Sequence, residues 1–227
     1  MKTFKKSLAA AGLAVCALAA TPSAAQVSGK VATSSISRAL LGVNGLQTAL
    51  QQVSTTYAAQ LQSAQTKQAQ LNEMLKPYDT NNNGNIDQAE TAGLQAGANF
   101  QQIQTLRGEI AAIEDQITAA QVYAVEQVLA QYQTAVSEVA TAQQIVMVVD
   151  PASLQYAGEG ADITAAVSTS LSAKVPTVGI VPPQGWRPNA NSVQIFQDIQ
   201  RRILIQQARA QAAQQQQQGN AQAPAGR

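Results

Sequence analysis

The sequence predicts an α+β fold, mostly α, in which a long antiparallel α-helical coiled-coil hairpin is inserted in a small β body. Two stretches with apolar residues at every third or fourth position flank a short polar loop, as expected of two amphipathic helices that pair. An apolar, β-branched run at residues 145–149 follows them and is typical of a strand. The β body is therefore expected to combine N- and C-terminal strands.

The first 25 residues have the organisation of a secretory signal peptide. Lys2, Lys5 and Lys6 precede an apolar run over residues 8–20, and small residues follow up to Ala25. A basic start, a short apolar core and a small-residue cleavage site define such a peptide. The apolar run is shorter than the roughly 20 residues that span a bilayer. We therefore expect cleavage near Ala25 and an exported mature chain without a membrane span.

The composition excludes several classes of function. The 227 residues include no histidine, and the single cysteine, Cys16, lies in the predicted signal peptide. These absences remove His-based acid–base catalysis, thiolate nucleophiles and most zinc or haem sites, so we expect no enzyme activity. Without the three lysines of the signal peptide the formal charge falls from +1 to −2. This balance gives no electrostatic reason to expect a nucleic acid partner.

The mature chain is expected to begin with a strand of the β body in residues 26–45. The first arm of the hairpin follows, and Pro77 is expected to end its helix. Gln, Ser and Thr separate its apolar residues, so its outer faces are polar with few charges. The predicted seam consists of Leu46, Leu50, Val53, Tyr57, Leu61, Ala64, Ala69, Leu71 and Leu75.

The second arm repeats this pattern and completes the hairpin at residues 46–144. The steps between its apolar residues alternate between three and four from Ile103 to Ala124, which is a heptad pattern, and then widen. We expect the arms to pack antiparallel, each several tens of Ångström long at about 1.5 Å per residue. The predicted seam consists of Phe100, Ile103, Leu106, Ile110, Ile113, Ile117, Ala120, Ala124, Val128, Tyr132, Val136 and Val139.

Residues 145–181 are predicted to return the chain to the β body. The run at 145–149 is expected to be a buried strand, Asp162 is placed to cap a helix, and residues 175–181 are expected to form an edge strand. Two or three strands do not make a stable sheet alone. The sequence therefore predicts an oligomer whose protomers pool their strands.

The last segment, residues 182–227, is a Pro-rich and then Gln-rich tail. Apolar residues at helical spacing predict a helix over residues 193–210. The Gln run at 214–218 and the Ala/Gly/Pro end are expected to be disordered.

A twelve-residue loop between the arms, residues 79–90, carries a pattern that points to a ligand. Asp79, Asn81, Asn83, Asn85, Asp87 and Glu90 fall at the Ca²⁺-ligating positions of an EF-hand loop, with Gly84 at the sharp turn and Ile86 as the apolar anchor. Oxygen ligands from alternate positions suit a hard cation. Only three of the six carry carboxylates and no second loop is present, so we expect a weak structural site with a dissociation constant of about 10⁻⁴–10⁻³ M.

A simple Asn- and Gly-rich turn is the alternative interpretation of this loop. It accounts for Asn82, Asn83 and Gly84, which are typical turn residues. It does not account for three carboxylates and Ile86 that all fall in register. Calcium binding is therefore the favoured prediction.

The whole arrangement resembles the Skp/OmpH family of periplasmic chaperones over residues 26–175. The resemblance is carried by the signal peptide, the N-terminal strand, the helical hairpin, the Ile-Val-Met-Val-Val-Asp run at 145–150, Tyr156, Ala157 and the Asp-Ile-Thr helix start at 162–164. It implies a homotrimer with a small β body and three helical arms around a cavity. It also implies an ATP-independent holdase that binds unfolded outer-membrane β-barrel proteins.

The chain also departs from that family. Well-known members are strongly basic, whereas the mature chain is near neutral, so lipopolysaccharide binding is not part of the expectation. The loop at residues 79–90, which we call the tip loop, is a further departure. The tail beyond Pro176 matches no part of the resemblance. The alternative function is a calcium-stabilised structural coiled-coil protein of the cell envelope with one fixed partner. A holdase would protect several unrelated clients, and a fixed adaptor would not.

Overall fold

The computed structural model describes residues 29–221, with side chains through residue 215, so the predicted signal peptide and Cys16 lie outside the described range. Within it the chain forms two strands, β1 (Lys30–Thr33) and β2 (Ile145–Val149), and eight α-helices. This architecture confirms the predicted α+β, mostly α class. The helices are α1 (Ile36–Leu41), α2 (Asn44–Thr56), α3 (Ala58–Leu75), α4 (Gln88–Ala96), α5 (Phe100–Leu129), α6 (Tyr132–Gln143), α7 (Thr164–Lys174) and α8 (Ala190–Ala221).

The two strands pair in parallel, with Val31 opposite Met147 and Thr33 opposite Val149. A parallel pair needs a long crossover connection between its strands. Here the crossover is the whole helical insertion between Thr33 and Ile145. The N- and C-terminal strands therefore meet around an inserted hairpin, as predicted. Thr33 makes a further isolated bridge to Asp162.

The body core is formed by helices from both ends of the chain. Leu40 in α1, Val125 in α5 and Leu171 in α7 are fully buried in it. Phe196 and Ile199 of α8 belong to the same cluster, and α8 contacts both α1 and α5. The helix predicted within the tail is therefore present, and its first half belongs to the core of the body.

Two predictions for the C-terminal region are wrong. Residues 175–181 form no strand, because the Gln127 side chain pairs with the Gly179 backbone, accepting from its N–H at 3.0 Å and donating to its carbonyl at 2.8 Å. The C-terminal helix does not end near residue 210. It extends to Ala221 and includes the Gln run at 214–218, for which we expected disorder.

Each arm of the hairpin is interrupted where a single helix was predicted. The first arm consists of α2 and α3, separated at Tyr57, and α3 ends at Leu75, just before Pro77. The second arm consists of α5 and α6, separated at residues 130–131. Among the helices of residues 29–221, none is long and apolar enough to cross a membrane.

Candidate functional site

The hairpin arm is held by two apolar clusters at its two ends. Val53 and Tyr57 of the first arm pack with Ile117 and Ala120 of α5 near the body. At the far end, the cluster that we call the tip cluster combines Leu71, Leu94, Ile103, Leu106 and Ile110. Later residues of the first arm thus meet earlier residues of α5, which confirms antiparallel packing.

Between the two clusters, the middle of the arm is loosely packed. Helix α3 has no buried residue from Ala58 to Gln70, and Leu61 is 37% exposed. The predicted seam is therefore wrong at Leu61 and Ala69, whereas Ile110 and Ile117 on α5 are buried as predicted. Alanine and glutamine at this part of α3 offer too little apolar area to exclude water from the helix pair.

A groove of about 740 Å³ opens between α3 and α5 on the outer half of the arm. Lys67 and Glu109 form an ion pair across it with the Nζ and Oε2 atoms 2.5 Å apart. Of the other eight lining side chains, four are polar without a charge, three are apolar and one is a carboxylate. The remaining lining residues are Thr66, Ala69, Gln70, Glu73, Met74, Gln102, Thr105 and Leu106.

The first half of the tip loop is folded by side chains that accept hydrogen bonds from its own backbone. Asp79 accepts from the N–H of Asn83 at 3.1 Å and of Gly84 at 2.8 Å. Asn81 Oδ1 accepts from Asn83 N at 3.0 Å, and Asn83 Oδ1 accepts from Asn85 N at 2.7 Å. Gly84 has a φ of 81°, in the left-handed region that favours glycine.

The second half of the loop is organised by Asp87 and Glu90, which form a capping box at the start of α4. Asp87 accepts from the N–H of Ala89 and of Glu90, and the buried Glu90 side chain accepts from Asp87 N at 3.2 Å. Glu90 Oε1 also accepts from Thr80 N at 2.6 Å and from Asn81 N at 3.2 Å. Glu90 therefore joins the two ends of the loop.

The hydrogen bonds to Glu90 also change its acidity. The Thr80 hydroxyl, which donates to the carboxylate at 2.8 Å, is the main cause that lowers the pKa of Glu90. Desolvation acts in the opposite direction, and the backbone N–H donors of Asp87, Asn81 and Thr80 add to the lowering. The carboxylate is thus held ionised in the loop.

All six predicted calcium ligands lie in this one loop, but their carboxylates do not converge. Asn81 Nδ2 donates to Asp87 Oδ2 at 3.0 Å, and Asn85 Nδ2 donates to the Asn83 carbonyl. Within residues 29–221, no group of three or more Asp, Glu, Cys or His side chains is close enough to hold a metal ion. The donor set is rich in oxygen, as Ca²⁺ requires, and calcium ligation stays a prediction.

The loop is connected to the tip cluster by Tyr78 and Ile86, which pack against it. Gly97, which follows α4, lies so close to the Tyr78 ring that a Cβ at this position would collide with it. The sequence identified Ile86 as an anchor but missed the capping box. An Asp and a Glu three residues apart, followed by Leu94, were the signal for it.

The strand pair exposes an apolar surface. Val146 is 55% exposed and Met147 46%, and Val31 on the neighbouring strand is 47% exposed. The expectation that β2 is a buried strand is therefore wrong for the single chain. A two-stranded sheet with exposed apolar side chains is marginal in water by itself.

The carboxylates of the body have structural roles. Asp150 Oδ1 accepts from Ala152 N at 2.7 Å and caps the short turn of helix that follows it. Asp162 Oδ1 accepts from Thr164 N at 3.0 Å. Asp162 also forms an ion pair with Arg38. Desolvation raises the pKa of Asp162, but the hydrogen bonds from Thr164 and Arg38 outweigh it, and the pKa is lowered overall. The N-cap residue of α7 is Ile163, so Asp162 precedes the cap position predicted for it and holds the turn before the helix.

Comparison with known proteins identifies the family of this chain. The model of the outer membrane protein (OmpH-like) family matches residues 30–171, more than half of the chain. The chain belongs to the OmpH-like family. No curated protein matches it. A crystal structure at 2.83 Å of a protein assigned as an outer membrane chaperone (OmpH-like), from Caulobacter crescentus CB15, is 19% identical, with a TM-score of 0.41 over 70% of this chain and 94% of that one.

Proposed function

We propose that this protein is a periplasmic, ATP-independent holdase that binds unfolded outer-membrane β-barrel proteins in transit. The observation that carries the proposal is the arm, a long antiparallel hairpin whose middle is loosely packed and polar, mounted on a small body in an OmpH-like chain. Holding an unfolded chain needs many weak and adaptable contacts, and uncharged polar faces with scattered apolar residues supply them. This role needs no catalytic residue and no nucleotide.

Light scattering of a urea-unfolded outer-membrane porin, diluted into buffer with the mature protein, tests this function. A holdase suppresses the scattering at a few protomers per client and does the same for an unrelated barrel. If neither client is protected, the holdase proposal is wrong. Protection of one client alone would favour the fixed-partner scaffold of the cell envelope.

We further propose that three copies assemble through their strand pairs. Val31, Val146 and Met147 form the exposed apolar surface that such an assembly would cover. Sedimentation velocity tests it with Val146→Asp, which should convert the trimer to monomers. Val181→Asp is the matched control, since Val181 is 70% exposed but lies outside the sheet. A wild-type protein that sediments as a monomer would contradict the assembly.

Calcium binding by the tip loop is the remaining part of the proposal. Asp79, Asn81, Asn83, Asn85, Asp87 and Glu90 would hold the ion, and bound Ca²⁺ would supply a structural staple for the loop. Hydrogen exchange of the α4 amides should slow in millimolar Ca²⁺ relative to chelator, and Asp79→Asn should remove the difference. Glu73→Gln, an exposed carboxylate on α3, is the matched control and should retain it. Equal exchange with and without Ca²⁺ in the wild-type protein would reject the site.

A further inference from the structure

The charges of the chain are divided between the hairpin and the C-terminal helix. The hairpin, residues 44–143, carries three cations against nine carboxylates, a formal charge of −6. No acidic residue follows Asp198, whereas Arg201, Arg202, Arg209 and Arg227 give the end of the chain a charge of +4. The net charge of the mature chain is therefore near neutral although its arm is acidic.

The cations of α8 do not neutralise the arm. The first half of α8 packs on α1 and on the part of α5 that lies in the body core. Arg202 is paired with Asp198 through Nε at 2.8 Å, and among the described side chains no cation of α8 pairs with a carboxylate of the hairpin. Within the arm, Lys67 pairs with Glu109 and Lys76 with Glu73. Of the three arm cations, Arg107 alone has no ion pair within the described residues. Seven further carboxylates remain in the hairpin, and one of them, Glu138, pairs with Lys174 of α7.

Two of these carboxylates lie on the loosely packed middle of the arm. Glu114 and Asp115 on α5 are exposed, and neither has an ion pair among residues 29–221. They lie between Ile110 of the tip cluster and Ile117 of the cluster near the body. The most accessible part of the arm therefore combines polar amides, the partly exposed Leu61 and unpaired negative charge.

We propose that the acidic arm selects unfolded client segments with net positive charge, an inference that rests on the holdase function proposed above. A surface of one sign attracts chains of the opposite sign and speeds their encounter, and salt screens the attraction. Cationic segments between the apolar stretches of an unfolded barrel are attracted to Glu114 and Asp115 while apolar side chains contact the loosely packed faces. Strongly anionic segments are repelled.

The test uses one porin in two unfolded forms of equal length and apolar content. In the cationic form, loop Asp and Glu are replaced by Asn and Gln, and in the anionic form loop Lys and Arg are replaced by Gln. Affinity is measured by fluorescence anisotropy in chelator at about 0.01 M and 0.15 M salt, where the Debye length falls from about 30 Å to 8 Å. We expect the cationic form to bind at least about fivefold tighter than the anionic form at low salt. The ratio of the two affinities should be smaller at high salt.

Variants of the chaperone connect the preference to the arm. The double substitution Glu114→Gln with Asp115→Asn should reduce this ratio of affinities about twofold. Glu159 is an exposed carboxylate of the body, so Glu159→Gln should leave the ratio unchanged. Equal or tighter binding of the anionic form, with both forms held in solution, would overturn the charge preference and leave the holdase function intact. Binding of neither form would overturn the holdase function, and this inference with it.

Discussion

The tip and the middle of the arm are built differently. Helix α3 is rich in Gln and Ala from residue 58 to residue 70, whereas it ends in Leu71, Met74 and Leu75 at the tip. At the tip, Leu71 packs with Leu94 of a third helix and with Ile103, and a capping box fixes the start of that helix. In the middle, α3 faces α5 with no buried side chain from residue 58 to residue 70. The arm is therefore not a uniform coiled coil, and its local stability should be higher at its far end than in its middle.

The largest expected effect comes from the tip cluster. Ile103 is fully buried there, so Ile103→Ala should cost about 2–5 kcal/mol of local stability. Leu61→Ala in the middle should cost less than about 1 kcal/mol, because Leu61 is already 37% exposed. Native-state hydrogen exchange of the arm amides measures both. Equal losses of local stability for the two variants would contradict the difference in packing between the tip and the middle of the arm.

A smaller effect is expected where Gly97 meets Tyr78. Gly97→Ala should destabilise the tip by about 1–3 kcal/mol, because the new methyl group collides with the Tyr78 ring. Gly93→Ala is the matched control. Gly93 lies inside α4 with open space beside it, so alanine should stabilise the tip by about 0.5–1 kcal/mol. Thermal unfolding followed by exchange of α4 amides separates these opposite signs.

Acid should weaken the tip through Glu90. The pKa of Glu90 is lowered in the folded protein, chiefly by the Thr80 hydroxyl, so its ionised form stabilises the fold above the unfolded pKa of about 4.3. That contribution is lost as the pH falls through the folded pKa. Exchange protection of α4, corrected for intrinsic rates, should therefore decrease below about pH 4. Glu90→Gln should flatten this dependence, and Glu114→Gln in the middle of the arm should not.

The smallest effect is expected from the ion pair between Lys67 and Glu109. Their side chains are 29% and 48% exposed, and a pair of this kind contributes below about 1 kcal/mol. A double-mutant cycle of Lys67→Gln and Glu109→Gln measures the coupling free energy. A coupling above about 2 kcal/mol would mean that this part of the arm is more rigidly held than its burial indicates.

The sequence predicted the second arm better than the first, for a physical reason. On α5, Ile103, Ile110 and Ile117 bury large side chains, so their heptad spacing alone identifies the packed face. On α3, Leu61 and Ala69 have the correct spacing, but their neighbours bring too little apolar area to the pair. The spacing of apolar residues indicates which face of a helix packs against its partner. The size of their side chains decides whether water is excluded from the interface.

Elsewhere the prediction failed because contacts distant in sequence decide the structure. The Gln127 amide pairs with the Gly179 backbone from 52 positions away, and no local pattern at residues 175–181 indicates it. In α8, Phe196 and Ile199 reach the core of the body and anchor a helix that continues to Ala221. In the candidate site, the six loop residues were located by their pattern, whereas the collision of Gly97 with Tyr78 required coordinates.

The parallel pairing of β1 with β2 has a consequence for how the protein folds. The sheet forms only when Ile145 reaches Lys30, which is far from it in sequence. The two arms between these strands meet through contacts between residues that are closer in sequence. Contacts between distant residues form slowly, because a long loop must be closed before they stabilise anything. We therefore expect the hairpin to fold first and the sheet to close last. A chain emerging N-terminus first would carry β1 unpaired until the whole arm had followed it.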